Sequence, residues 1–131
     1  MSLYLLDTDT VSFALRGEGN VAEALLSHKP SELAVSAVTV GELRFGAEKR
    51  KSKKLHRLID TFTATVEALD FNTSAAEAFG KLCAQLSRRG SPIGPLDTMI
   101  AAHAQATGRI LVTNNTRHFS RVTGLKLENW L

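Results

Sequence analysis

Short apolar runs alternate along this chain with longer segments in which apolar residues recur every three or four positions. Runs of the first kind are typical of buried strands, and spacing of the second kind is typical of helices that pack one face on a core. The runs predict strands at 4–6, 33–36, 66–69 and 110–113. The periodic segments predict helices at 10–15, 21–26, 38–50, 53–64, 73–89 and 96–107, with Thr73 as the cap of the longest.

Strands that alternate with helices in this way form a parallel sheet covered on both faces. The predicted fold class is therefore α/β, with a central parallel sheet of about four to five strands flanked by helices. No repeat, low-complexity tract or linker interrupts the 131 residues, so we expect one domain spanning residues 1–131. In such sheets a ligand binds beyond the carboxyl ends of the strands, where the strand order reverses.

The composition is that of an ordinary globular domain, with 44% apolar and 22% charged residues. Cys83 is the only cysteine, so the chain cannot form an internal disulfide, which fits a reducing compartment. No apolar run approaches the roughly 18 residues of a membrane span. The residues before Asp7 lack the basic segment of a signal peptide. We therefore expect a soluble cytoplasmic protein that does not associate with a membrane.

The positive charge is concentrated in one segment. Residues 49–57 contain six of the sixteen lysines and arginines and no acid, so the rest of the chain carries ten cations and thirteen acids. A basic segment on a slightly acidic body indicates a polyanionic partner that approaches from one side. A solvated helix surface explains the same pattern equally well.

Asp7 directly follows the first predicted strand, which places its carboxylate at the ligand-binding end of the sheet. Nothing in the local sequence assigns a structural role to it. Asp9 follows two residues later, and we interpret it mainly as the N-cap of the helix that begins at Thr10.

Three more polar positions fall on the same side of the predicted sheet. Thr39 and Glu42 have the spacing of a capping box, but Ser36 is the better cap for a helix that follows the second strand directly. Asp97 lies in the first turn of a helix, where an acid also has a favourable contact with the helix dipole. Asn115 follows the last strand in an Asn-Asn pair that is typical of turns.

Together these positions predict a metal site. All of them come from the carboxyl side of the sheet: Asp7, Glu42, Asp97 and Asn115. Carboxylates crowded in this way repel one another unless a divalent cation lies between them. Oxygen ligands alone favour Mg²⁺ or Mn²⁺ over zinc. Such an ion activates water for displacement at phosphorus, so the predicted reaction is phosphodiester hydrolysis.

Four segments of the sequence also resemble a known family. They are Leu-Leu-Asp-Thr-Asp at 5–9, Val-Thr-Val-Gly-Glu-Leu at 38–43 with Gly46, and the longer segments 94–104 and 111–125. Their order and spacing resemble those of PIN-domain ribonucleases, and the last two segments are the most specific. Within that family they look most like the VapC group, the toxins of type II toxin–antitoxin pairs.

The resemblance implies a single PIN-like domain that acts as a metal-dependent endoribonuclease on structured RNA, with tRNA as the expected substrate. It also implies a small VapB-like antitoxin as partner, a homodimer, and a toxin–antitoxin complex that can be of higher order. By this resemblance Asp7, Glu42 and Asp97 match the acidic metal-binding positions. Asn115 matches a fourth position that is often Asp, so it departs from the four-acid pattern.

Each of these residues then has an expected role. Asp7 and Asp97 would bind the ion, Glu42 would bind it or position the attacking water, and Asn115 would orient water or a substrate phosphate. Further candidates for contacts to RNA phosphates, each also explained as an ordinary surface residue, are Arg44, Lys49, Arg50, Lys51, Lys53, Lys54, Arg117, His118 and Arg121.

Two other functions fit part of the same sequence. Residues 7–10 read Asp-Thr-Asp-Thr, which is also the DxDxT pattern of haloacid-dehalogenase-like phosphatases; there Asp7 would attack phosphorus and Asp9 would act as the acid. That class needs a later acidic pair, and Asn114 and Asn115 stand at the comparable strand end. A catalytically weak RNA-binding PIN domain is the non-enzymatic alternative, and the three acids argue against it.

Overall fold

The structure is a computed structural model and describes residues 2–131. Its β-strands are β1 (Tyr4–Leu6), β2 (Leu33–Ser36), β3 (Glu67–Leu69), β4 (Ile110–Val112) and β5 (Leu127–Glu128). Its α-helices are α1 (Thr8–Arg16), α2 (Val21–Leu26), α3 (Ala37–Lys49), α4 (Lys53–Thr65), α5 (Thr73–Arg88), α6 (Pro95–Ala106) and α7 (Thr116–Phe119). None of the helices in these described residues has the length and apolarity needed to cross a membrane.

All five strands are parallel and form one sheet in the order β3-β2-β1-β4-β5. The central strand is β1, where Leu6 lies opposite Val35 of β2 on one side and Val112 of β4 on the other. The strand order reverses between β1 and β4, because β2 and β3 lie on one side of β1 and the later strands on the other. The predicted α/β class and the four to five parallel strands are confirmed.

Neighbouring residues of the central strand face opposite sides of the sheet and belong to different halves of the core. Leu5 packs in a cluster with residues of α5 and α6, whereas Leu6 packs in a second cluster with residues of α1, α3 and α4. Both leucines are fully buried, and full burial of a leucine is worth about 1.5–3 kcal/mol. Because both faces are covered, polar ligands can reach the sheet only at the ends of its strands.

Side chains at the ends of the strands cap the helices that follow them. Ser36 accepts a hydrogen bond from the backbone N–H of Val38 and so caps α3, as predicted. Asp7, rather than Asp9, caps α1, because this helix begins at Thr8, two residues before the predicted start. The prediction that Asp9 is the cap is therefore wrong.

The hydrophobic pattern does not predict two elements near the C-terminus. Helix α7 has four residues and β5 has two, so both are too short to show a periodicity. β5 nevertheless extends the sheet, with Leu127 opposite Leu111 of β4. Helix α7 follows β4 at the end of the sheet that carries Asp7, and the chain then returns to the other end because β5 runs parallel to β4.

Candidate functional site

The carboxyl ends of β1, β2 and β4 lie at one end of the sheet, which we call the carboxyl edge. Asp7 follows β1, Ser36 ends β2, and Thr113 follows β4. Helix α3, which carries Glu42, starts from this edge. Helix α6 leads back into β4, so its N-terminus with Asp97 faces the same edge. The reversal of strand order between β1 and β4 makes this the expected ligand-binding end of the sheet.

The Asp7 carboxylate is buried in the carboxyl edge, with 5% of the residue exposed. Its Oδ1 atom accepts a hydrogen bond from the backbone N–H of Thr10 at 2.8 Å. The Thr10 hydroxyl donates to the carbonyl oxygen of Val112 at 3.1 Å, which ties the first turn of α1 to β4. Backbone structure on both sides therefore holds this carboxylate in place.

Burial raises the pKa of the Asp7 carboxyl, although hydrogen bonds from Thr10 and Thr113 act in the opposite direction. The nearby Asp9 carboxylate raises this pKa a little further. Within residues 2–131 no Lys, Arg or His side chain forms an ion pair with Asp7. A buried carboxylate without a cation beside it favours the binding of a proton or a metal ion.

Glu42 is connected to the end of β1 through the side chain of Thr8. The Thr8 hydroxyl donates to Oε1 of Glu42 at 2.6 Å and lies 3.2 Å from the hydroxyl of Thr39. Thr8 directly follows Asp7, so this contact brings the helix that carries Glu42 to the end of the central strand. The sequence suggests Thr39 only as half of a capping box with Glu42 and gives Thr8 no role, because only the packing of α3 on α1 brings Thr8 to Glu42.

Asp97 contacts a histidine from the opposite side of the carboxyl edge. Its Oδ2 atom accepts a hydrogen bond from Nε2 of His118 at 2.9 Å. The side chain of Asp97 is 42% exposed and that of His118 is 22% exposed, so this carboxylate is more open to solvent than Asp7. His118, predicted as a contact to RNA, is thus engaged with an acidic residue of the site.

The asparagine pair after β4 contains one exposed residue and one with a buried side-chain oxygen. Asn115 is exposed, and its backbone N–H donates to the Thr113 hydroxyl at 3.0 Å. The Oδ1 atom of Asn114 is buried and has no hydrogen-bond partner in the part of the chain that the structure describes. A buried oxygen without a donor is costly, so water or a cation would be favoured beside it. Nothing in the sequence marks this buried oxygen, because an Asn-Asn pair after a strand is typical of a turn.

A groove of about 450 Å³ opens beside the carboxyl edge between α1, α3 and α4. Its charged lining residues are of both signs: Asp9 and Glu42 are acidic, and Arg16 and Arg50 are basic. Much of the remaining lining is apolar and consists of Phe13, Leu15, Leu43, Leu55 and Leu58.

The model of the PIN-domain family matches residues 4–125. The chain is 37% identical over 131 residues to the tRNA(fMet)-specific endonuclease VapC of Shigella flexneri, with 99% of each chain covered. The chain belongs to the PIN-domain family, in its VapC group. It is also 37% identical to ribonuclease VapC2 of Haemophilus influenzae over the full length of both chains.

Solved structures of VapC proteins have the same fold. A chain in the DNA-bound VapBC structure from Salmonella typhimurium superimposes with a TM-score of 0.89 at 37% identity, with both chains fully covered. A chain of VapBC2 from Rickettsia felis, bound to a DNA fragment from the promoter, has a TM-score of 0.87 at 32% identity, with 98% of this chain and 99% of that chain covered. The haloacid-dehalogenase-like alternative therefore has no support.

The acidic side chains of this VapC-family chain do not form a tight cluster. Within residues 2–131, no three His, Cys, Asp or Glu side chains form a preassembled metal-binding group. Each of the three acids has a hydrogen-bond partner of its own: Glu42 is bonded to Thr8 and Asp97 to His118, while Asp7 caps α1. That these acids share a metal ion stays a prediction.

The predicted RNA-contacting arginines differ in their surroundings. The Arg44 guanidinium contacts His56 and Asp60, so it connects α3 to α4. Arg121 donates to a backbone carbonyl, and Arg117 is exposed. The other basic candidates are exposed at the turn between α3 and α4: Lys49, Arg50, Lys51, Lys53 and Lys54.

Replacing Asp7 with Asn should stabilise the folded protein at neutral pH. The amide keeps an oxygen that can accept the N–H of Thr10, but it removes a charge whose burial is costly. Burial raises the pKa of the Asp7 carboxyl in the folded protein above its value in the unfolded chain. The cost of the buried charge is therefore absent at pH values below the pKa of Asp7 in the unfolded chain, and it grows as the pH rises through the pKa of Asp7 in the folded protein. Urea unfolding at several pH values should show Asp7→Asn as the more stable protein at neutral pH, with a gap that shrinks as pH falls.

Asp70→Asn is the matched control, because Asp70 is exposed and its side chain caps no helix. Its free energy of unfolding should stay within about 0.5 kcal/mol of wild type. A wild type that is more stable than Asp7→Asn at neutral pH without divalent ions would contradict the destabilising effect of the buried charge.

Proposed function

We propose that this protein is a divalent-metal-dependent endoribonuclease that hydrolyses phosphodiester bonds in structured RNA, with tRNA as the substrate class. It would act in the cytoplasm as the toxin of a toxin–antitoxin pair. The observation that carries the proposal is the Asp7 carboxylate, buried at the carboxyl end of the central strand without a cation beside it. The Shigella flexneri relative named as a tRNA(fMet)-specific endonuclease supports tRNA as the substrate. A homodimer stays a prediction based on the family resemblance.

The donor atoms at the carboxyl edge suit Mg²⁺ or Mn²⁺. Asp7, Glu42 and Asp97 offer carboxylate oxygens, which are the protein ligands that these ions prefer. The buried Oδ1 atom of Asn114 is a further oxygen at this edge, and no protein donor satisfies it among residues 2–131. The chemistry of the residues therefore fits the predicted ion.

An ion at this edge would lower the pKa of an attacking water and stabilise the negative charge that develops on the phosphate. Asp7 and Asp97 would hold it. Glu42, which is fixed by Thr8, would hold it as well or accept a proton from the attacking water. Asn115, exposed at the end of β4, would orient water or a substrate phosphate through its side-chain amide.

The purified protein should cut end-labelled total tRNA into discrete fragments in the presence of Mg²⁺ or Mn²⁺, and EDTA should abolish the fragments. Asp7→Asn should slow cleavage by ~100-fold or more, because even residues that only support a metal ligand contribute about 10–100-fold. Asp70→Asn should cut as wild type does. Denaturing gel electrophoresis of the labelled fragments measures all three.

Fragments that persist in EDTA or with Asp7→Asn would contradict metal chemistry at the carboxyl edge. Tight RNA binding without cleavage under every condition would instead favour the catalytically weak RNA-binding PIN domain.

The basic turn between α3 and α4, residues 49–54, is the proposed docking surface for RNA. Lys53 and Lys54 lie in the first turn of α4, where a cation opposes the helix dipole. Lys51 has a φ of 51°, in the left-handed region that glycine adopts at lower cost. The stability of the helix and of the turn therefore does not explain why lysine stands at these positions, whereas contact with RNA phosphates does. Arg50 lines the same groove as Glu42, so the turn adjoins the carboxyl edge.

Replacing Lys49, Arg50, Lys51, Lys53 and Lys54 with Gln should weaken RNA binding and flatten its dependence on salt. Each lost phosphate contact should reduce the slope of log K against log salt concentration by roughly 0.7–0.9. Fluorescence anisotropy with labelled tRNA, in an Asp7→Asn background that slows cleavage, measures the slope.

A pair of double variants shows whether RNA binding depends on the position of the lost cations or only on the net charge of the protein. Lys53→Gln with Lys54→Gln should reduce the slope, whereas Lys81→Gln with Arg88→Gln, on exposed sites of α5, should leave it unchanged. If the two double variants give the same slope of log K against log salt concentration, the basic turn is an ordinary solvated surface and not the docking surface for RNA.

The groove between α1, α3 and α4 is the proposed binding site of the antitoxin. The matched structures from Salmonella typhimurium and Rickettsia felis are of VapBC. An apolar lining suits the side chains of a peptide better than an RNA backbone, and charged residues of both signs can fix the register of that peptide. Because Glu42 lines the groove, a bound peptide would cover the carboxyl edge and block access of RNA.

Leu58→Glu should weaken binding of the antitoxin encoded beside this protein by ~10–100-fold, because burying one leucine contributes about 1.5–3 kcal/mol. Leu26→Glu is the matched control, since Leu26 is 87% exposed and does not line the groove. Copurification followed by titration calorimetry measures the affinity. If the two variants bind the antitoxin equally well, its site is elsewhere.

A further inference from the structure

His118 connects two elements at the carboxyl edge that are not adjacent in sequence. It lies in α7, directly after β4, and its partner Asp97 lies in the first turn of α6. The distance of 2.9 Å between Nε2 and Oδ2 is that of a good hydrogen bond to a charged acceptor. Because the imidazole is 22% exposed, solvent competes with this contact less than at an open surface.

The direction of this hydrogen bond limits what His118 can do. An ionised carboxylate only accepts hydrogen bonds, so Nε2 carries a proton and donates it to Asp97. That nitrogen then has no lone pair for a metal ion, and His118 is not a ligand through it. The other carboxylate oxygen, Oδ1 of Asp97, has no hydrogen-bond partner among residues 2–131 and is the oxygen left for a cation.

Packing against a core residue also supports the imidazole. The His118 ring meets the ring of Phe119 edge to face, with centroids 5.2 Å apart and planes at 79°. Phe119 is 2% exposed and belongs to the core cluster that includes residues of α6. A ring supported by the core and bonded to Asp97 can restrict that carboxylate to one orientation.

We propose that His118 is a positioning residue, which holds Asp97 with Oδ1 available to the divalent ion at the carboxyl edge. The inference rests on the proposed metal-dependent function. Asp7 needs no such support, because burial and the N–H of Thr10 already fix it. Asp97 is half-exposed and sits in a helix that has no side-chain cap, so it depends on a partner for its orientation.

The contact between Thr8 and Glu42 is independent support for this division of roles. Thr8 bonds one oxygen of Glu42, as His118 bonds one oxygen of Asp97. Both of the less buried carboxylates are thus held by a side-chain donor on a neighbouring element. Donors that hold ligands in this way are a general feature of metal sites.

Two amide variants of different length test whether Mn²⁺ binding depends on the hydrogen bond that Nε2 of His118 donates to Asp97. Gln places its side-chain nitrogen near the position of the histidine Nε2, whereas Asn reaches only as far as Nδ1. Titration calorimetry of the RNA-free protein with Mn²⁺ should give His118→Gln an affinity close to wild type. His118→Asn and His118→Leu should bind Mn²⁺ ~10–100-fold more weakly.

His28→Gln is the control for replacing a histidine. His28 stacks on Trp130 and contacts the ring of Tyr4, at the opposite end of β1 from the carboxyl edge. Its Mn²⁺ affinity should equal that of wild type, and thermal unfolding establishes that each variant is folded.

A double variant shows whether the effect passes through Asp97. In an Asp97→Asn background, His118→Leu should cause no further loss of Mn²⁺ affinity. Cleavage of tRNA by His118→Leu should also recover towards the wild-type rate at saturating Mn²⁺, because excess ion compensates for weaker binding. A general structural defect would not recover.

Unchanged Mn²⁺ affinity in His118→Leu, with normal binding by wild type, would overturn this inference and leave the proposed function intact. Tighter binding would also overturn it, because His118 would then compete with the ion. If wild type itself binds no Mn²⁺, the proposed metal chemistry fails and this inference fails with it. If His118→Leu does not fold, the comparison of His118→Gln with His118→Asn decides, and equal affinities for those two overturn the inference.

Discussion

The hydrogen bonding of β1 to a strand on each side is the constraint on which the rest of this structure depends. Leu5 and Leu6 are fully buried in different halves of the core, and a shift of one residue would exchange them. The backbone N–H of Asp7 continues the ladder by donating to the carbonyl oxygen of Val112 at 3.0 Å. The Asp7 carboxylate therefore has a fixed place at the end of the sheet, and the other residues of the site are arranged around it.

The three acidic residues are held by different means, and this difference has physical consequences. Asp7 contributes a cap to α1, an interaction typically worth about 1 kcal/mol, while its burial raises its pKa and disfavours its charge. Buried ionisable groups of this kind, whose charge lowers the stability of the folded protein, are common at functional sites because the charge is needed for binding or catalysis. Glu42 and Asp97 are bonded instead to the side chains of Thr8 and His118, so their orientation depends on side-chain donors rather than on the backbone.

The hydrophobic pattern predicted most of the fold because the strands and the longer helices bury regular faces. The strand 33–36 and the helix 21–26 have the predicted bounds. Helix starts were harder to predict, since Asn72 rather than Thr73 caps α5 and the cap of α1 also lies earlier than expected. Several neighbouring residues can cap in both places, and packing chooses among them. The four residues of α7 and the two of β5 carry no periodicity to read.

By itself the sequence determined the α/β class, the parallel strands and the acids that stand at the ends of strands and helices, because these follow from local periodicity and chain order. Only the tertiary structure decided which partners these residues have. Thr8 bonds Glu42, His118 bonds Asp97, and Arg44 is used between two helices. These pairs are separated by 12 to 34 positions in the chain. Contacts over such separations depend on how the helices pack against the sheet, and no local pattern of residues encodes that packing.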